Sequence, residues 1–285
     1  MPGEVERARG EFPIRNAVFR SSVHSYPRRV GCDDVSLVPP FAIPLAAAGV
    51  VTGVLIGSTG VGGVLLVPFL IYALGFPVQG AVAVALWSYL WSGLLAIALY
   101  WRRGSIPGRP AAWLCGAAVP GAFLGARALG IVPGVVVQAL IAAVLVLGGL
   151  YTLRPPRAPR EQHQLATRTL VLLGAITGFA SALLGAGGAF LLVPLLVALG
   201  EPVLLAVGLG QSIQLPISAV ASVANVAAGR VDWAAGWILA GSLAVGIAIG
   251  TPLAHGLSQR ALRSLVAVAM LVAGVVTLLR VLRVL

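Results

Sequence analysis

The chain has 285 residues, 59% of them hydrophobic and only 9% charged, with a formal net charge of +11. A soluble domain covers itself with about 25% charged residues, so this composition excludes a water-soluble globular protein and leaves a polytopic helical membrane protein. The charge does not make a nucleic-acid face either. All 19 basic residues are arginine and lie in the N-terminal tail, between apolar runs or at the C-terminus, the distribution of topology signals.

Residues 1–37 form a polar tail of mixed charge without the apolar core of a signal peptide, expected to stay on the mature chain in the cytoplasm. From about Phe41 onward the apolar runs reach about 20 residues, enough to cross a hydrocarbon core of about 30 Å. The first set of runs covers approximately 38–59, 60–75, 77–101, 111–130 and 132–153. The polar linker RPPRAPREQHQLATR, 154–168, separates it from a second set over 169–285. The second run of each set is short, about 16 residues, and would rise only about 24 Å as a helix. It reads as a re-entrant piece or half of a discontinuous helix. Cys32 and Cys115 stand far apart and suggest neither a disulfide framework nor a metal site.

The two sets repeat one another. GSTGVGGVLLVP at 57–68 returns as LLGAGGAFLLVP at 183–194. An offset of 125 places Gly60 on Gly185, Gly62 and Gly63 on Gly187 and Gly188, Thr52 on Thr177 and Gly75 on Gly200. The same offset places Gly121 on Gly246 and Gly125 on Gly250. This sustained register implies duplication, with 38–153 and 169–285 as homologous membrane repeats. If the first two runs of each repeat make one net crossing, each half crosses four times, about eight in all, and both termini share the cytoplasmic side. The arginines between runs then divide 12 against 3, with Arg230 on the richer side and Arg127 on the poorer. If all five runs cross, the division is 9 against 6 and the halves are inverted. The positive-inside rule prefers the first arrangement, in which the halves are parallel.

Irregular backbone at membrane depth survives only inside protein or beside a watery cavity. Two glycine breaks, each starting a helix with its positive dipole end, make an anion cradle of backbone amides. Ser58, Thr59, Gly60, Gly62, Gly63 and Pro68 line the first, and Gly185, Gly187, Gly188 and Pro194 the second. For Gly49-x-x-x-Gly53 and Gly121-x-x-x-Gly125 close helix packing is the better reading. Gln211, Ser212, Gln214, Ser218, Ser222 and Asn225 put neutral donors in the third run of the second set, most of them on one helix face. That face either glues helices or lines a path. Its first-set counterpart is dominated by Trp87, Tyr89 and Trp91, read as packing or interfacial anchors. No Asp, Glu or Lys stands well inside an apolar run, and His255 is the one histidine near such a run's interior. Cation transport is therefore disfavoured, and no nucleophile–base pair or metal cluster suggests an enzyme.

G-x-G-G followed by L-V-P in both sets, AVALWS and AVGLGQS, and the GRVDW after the polar face resemble the TauE/SafE family of sulfite exporters over about residues 40–283. The resemblance implies a multi-spanning carrier of sulfite, organosulfonates or related small anions. The motif falls on Gly60, Gly62, Gly63 and Pro68, and on Gly185, Gly187, Gly188 and Pro194. The first set departs from it, with GSIPG in place of GRVDW and an unusually aromatic third run. The expected protein is thus an all-α, multi-pass cell-membrane exporter of small anions without cofactor or metal, its partners the substrate and the bilayer. A non-transporting subunit and a passive anion channel are the alternatives, and the sequence leaves homo-oligomerisation open.

Overall fold

The computed structural model describes residues 41–59, 62–102, 108–153, 165–199, 201, 203–253 and 259–284. The tail 1–37, Cys32, most of the 154–168 linker, Gly60 and His255 lie outside the described residues. Among the described residues every regular element is helical. The helices are α1 (Ala42–Thr59), a 3-10 turn (Gly63–Leu65) leading into α2 (Leu66–Tyr72), α3 (Val78–Arg102), α4 (Gly108–Leu129) and α5 (Gly134–Leu153). Then follow α6 (Thr167–Leu184), α7 (Gly188–Ala198), α8 (Val203–Ala227), α9 (Trp233–Leu253) and α10 (Gln259–Val284). Length and apolar composition single out six of them, α3, α4, α5, α6, α8 and α9, as able to cross a membrane, where the sequence suggested about eight crossings.

Small residues decide which helices touch. Gly49, Gly53 and Gly57 lay one edge of α1 against Ser242, Gly246 and Thr251 of α9, in the same order along both chains. A Cβ at Gly57 would fall 2.7 Å from the Ile247 carbonyl oxygen, so backbone meets backbone here. The second parallel pair is α4 with α6. There Gly121 and Gly125 sit on Ala175 and Phe179, while Gly174 and Gly178 sit on Leu114 and Ala118. Lipid tails are as apolar as leucine, so close backbone approach and dispersion, rather than a hydrophobic driving force, hold such pairs.

Two further long pairs run the opposite way. Gly149 of α5 abuts Ala267 and Leu271 of α10, while Gly274 of α10 abuts Leu145 and Val146. Gly80 of α3 lies by the Arg230 carbonyl just beyond α8, and Gly93 faces Gln214 and Leu215. Thus α3 is antiparallel to α8, and α5 to α10. These partners are related by the 125-residue offset, so the expected parallel arrangement of four-crossing halves is corrected. The cause is the first broken pair. Phe41, where α1 enters, and Phe76, beyond the end of α2, meet edge to face at 6.3 Å. The α1–α2 unit folds back on itself as a hairpin instead of making one net crossing. Accordingly Arg127 and Arg230, expected on opposite sides, line one groove.

A leucine at Gly53 would drive its side chain into the backbone of Leu243 and Gly246, and the expected cost is about 1–3 kcal/mol or more. An alanine at Gly116 or Gly241, where a Cβ meets nothing within 4 Å, should be neutral or stabilising by up to about 1 kcal/mol. Thermal unfolding of the three purified variants in one detergent checks the contrast.

Candidate functional site

Gly185 closes α6 in the left-handed conformation at φ 64°, its N–H bonded to the Ser181 carbonyl at 2.9 Å. Gly187 follows at φ 72°, ψ 138°, before Gly188 opens α7. A side chain at either position would be strained, which explains why this break needs glycine. In the first break the demand is for space. Gly62 has an ordinary negative φ, but a Cβ there would lie 2.8 Å from the Cβ of Leu55 and 3.0 Å from the Thr52 carbonyl oxygen.

The two breaks meet. A Cβ on Gly63 would come within 3.4 Å of the Ala186 carbonyl oxygen. The hydroxyl of fully buried Tyr89, on α3, donates to the Gly63 carbonyl. From α8, Gln214 brings its Oε1 to within 3.6 Å of where a Gly187 side chain would begin. Ile56, Gly63, Tyr89, Gly187, Phe190 and Gln214 help enclose a cavity of ≈ 10 Å³, room for about one water. The eleven-residue helix α7 starts at its wall and turns its positive end toward it. Tyr89 and Gln214 are the polar side chains of a lining that is otherwise apolar or glycine.

Along α8, Gln211, Gln214, Ser218, Ser222 and Asn225 are all buried. Gln211 Oε1, Gln214 Nε2, Ser218 Oγ, Ser222 Oγ and Asn225 Nδ2 find no hydrogen-bond partner, and neither do Ser92 Oγ on α3 and Thr177 Oγ1 on α6. Each such group costs on the order of 1–3 kcal/mol if left unsatisfied. Groups of this kind are satisfied by ordered water, an ion or a ligand.

The sequence-expected residues separate accordingly. Gly62, Gly63, Gly185, Gly187, Gly188 and Gln214 come together around the breaks. Gln211 shares the α8 face, and Asn225 lies three turns beyond Gln214, about 16 Å along the axis, where its Oδ1 accepts from Arg230 Nη1 at 3.3 Å. Ser58 and Ser212 turn back onto their own helices, bonding Val54 O at 2.7 Å and Gly208 O at 2.8 Å. Pro68 is buried in α2 and Pro194 half-buried in α7, apart from the cavity lining. Gly60 and the side chain of Thr59 lie outside the described residues. Sequence reasoning missed two residues. Ser181 donates to the Gly187 carbonyl at 3.4 Å, and Tyr89 stands in the wall. The 125-residue offset places Tyr89 on Gln214, a signal that would have separated it from its tryptophan neighbours. Trp87 packs edge to face on Trp91, Trp233 and Trp237 at 5.0–5.8 Å, as packing aromatics do. Among the described residues no group of three or more His, Cys, Asp or Glu could hold a metal.

The profile described as "Sulfite exporter TauE/SafE" matches residues 45–277. A "Probable membrane transporter protein" of Xylella fastidiosa (strain 9a5c) is 33% identical over 160 residues, 53% of this chain and 60% of that protein. The "Probable membrane transporter protein YjnA" of Bacillus subtilis (strain 168) is 26% identical over 253 residues, 82% of this chain and 98% of its own length. With most of its length matched, the chain belongs to the sulfite exporter TauE/SafE family of membrane transporters.

Proposed function

We propose that the chain is a carrier for a small oxyanion, sulfite or an organosulfonate, bound where the two glycine breaks meet. The observation behind this reading is the row of unpartnered buried donors and acceptors on α8, continuous with a cavity walled by break backbone. A carrier must replace part of an anion's hydration shell, and amide and hydroxyl donors do that without fixing a counter-charge beside it. A cavity of ≈ 10 Å³ is too small for such an anion as it stands. Loading requires α3 and α8 to part.

The helix pairings support how that happens. Exchanging the first five helices for the last five leaves the set of principal pairs unchanged: α1 with α9 becomes α6 with α4, and α3–α8 and α5–α10 map onto themselves. With α3–α8 and α5–α10 antiparallel, the duplicated halves are inverted, and rocking one against the other opens the central cavity alternately to each side.

The expected result in proteoliposomes is saturable flux of sulfite or sulfoacetate exceeding that of sulfate, acetate and chloride, against empty liposomes. Gly187→Leu should abolish it while membrane insertion stays intact. Gln214→Leu should lower it roughly ten- to a hundredfold, the loss of one hydrogen bond to a charged ligand. Equal flux in wild type and both variants would end the reading.

Accessibility gives an independent check. With Cys32 and Cys115 replaced by alanine, Ser218→Cys should react with a polar thiol reagent, and sulfoacetate, which does not consume the reagent, should slow the labelling. A cysteine that stays unlabelled under turnover would mean that this helix face glues helices and lines no path.

A further inference from the structure

The face of α8 turned away from the polar row borders a groove of ≈ 810 Å³ against the end of α4. Val220, Val223, Ala224 and Ala227 form its α8 wall, and Phe123 and Ile131 contribute from the α4 side. At 100° per residue these α8 positions lie opposite Gln214, Ser218 and Ser222, so the helix separates the groove from the polar row except at the Asn225 end, which Arg230 reaches. Ile131 is 83% and Val223 72% exposed, so the apolar wall is open to the surroundings.

At the mouth of this apolar groove stand two guanidinium groups. Arg127 lies over the Phe123 ring at 4.8 Å, which holds the cation beside the wall. Arg230 gives one N–H to Asn225 Oδ1 at 3.3 Å and rests across Gly130, where any side chain would occupy the space of its Nη2. The nearest acid in sequence, Asp232, is engaged in accepting the Ala235 N–H at 3.0 Å. Among the described residues no carboxylate pairs with either arginine.

We infer that this groove binds an anionic phospholipid, its phosphate held between Arg127 and Arg230 and an acyl chain lying along α8. The dimensions fit. From Ala219 to Ala227 the α8 wall runs about 12 Å, most of one leaflet of a hydrocarbon core about 30 Å thick. Basic pockets between membrane helices hold lipid headgroups through this combination of fixed cations and adjoining apolar surface. A free oxyanion would use the arginines but leave the long apolar wall unexplained.

The test uses the full-length protein, delipidated in detergent and examined by native mass spectrometry. Phosphatidylglycerol or phosphatidylcholine is titrated in, with and without millimolar inorganic phosphate. Wild type should retain phosphatidylglycerol about tenfold or more over phosphatidylcholine, the scale expected for two interfacial arginines. Arg127→Gln with Arg230→Gln should remove the preference. Val223→Trp, which keeps both charges but fills the groove, should also weaken retention. Each variant is first checked for a monodisperse size-exclusion peak. Equal retention of the two lipids, or a preference that survives both variants, overturns the proposal. Displacement of the lipid by inorganic phosphate overturns it too, because the site would then serve small anions. Lipid retention is read without flux, so its failure and the failure of the transport reading are separable.

Discussion

A peptide group in hydrocarbon has no water to bond with, and a helix interrupted there must have its loose amides and carbonyls enclosed by protein. This chain interrupts itself twice, and its architecture answers that constraint. Tyr89 caps the Gly63 carbonyl, Ser181 the Gly187 carbonyl, and α3 and α8 wall the junction. The glycine seams of α1 with α9 and of α4 with α6 bring neighbouring backbones together around it. The breaks are therefore the place around which the helices are assembled.

Folding the first broken pair back as a hairpin has a geometric consequence. Equivalent helices then point in opposite directions, as α3 and α8 and α5 and α10 do. Of the two breaks, the second opens helix α7 directly at the cavity, at Gly188, while the first contributes Gly63 to its wall.

The glycine breaks, the polar row on α8 and the small-residue seams were legible in the sequence, because each follows from a local rule about backbone freedom or helix periodicity. The direction of the repeats was not. Counting arginines treats every run as a crossing or a fixed pair of crossings, and nothing local in GSTGVGG says that the chain turns back. Arg127 and Arg230 show the difficulty: loop counting separates them, whereas the folded chain puts them in one groove. Tyr89 was obscured by Trp87 and Trp91. Composition makes the three look alike, and only the register with Gln214 distinguishes the one that faces the breaks.

The absence of any acidic or basic side chain from the cavity wall also bears on turnover. A fixed cation at the junction would bind an oxyanion strongly in a low-dielectric interior and would equally retain it, since Coulomb energies there are several times those in water. Orienting dipoles, amides and hydroxyls stabilise the anion less, and that stabilisation weakens as helices separate and water enters. Arg127 and Arg230 lie on the far side of α8, beside exposed apolar surface. The helix keeps them from the cavity around the breaks, and Arg230 meets the polar row only at its Asn225 end. Under the proposed transport reading, charge at the perimeter and dipoles at the centre would let the chain both collect an anion and release it.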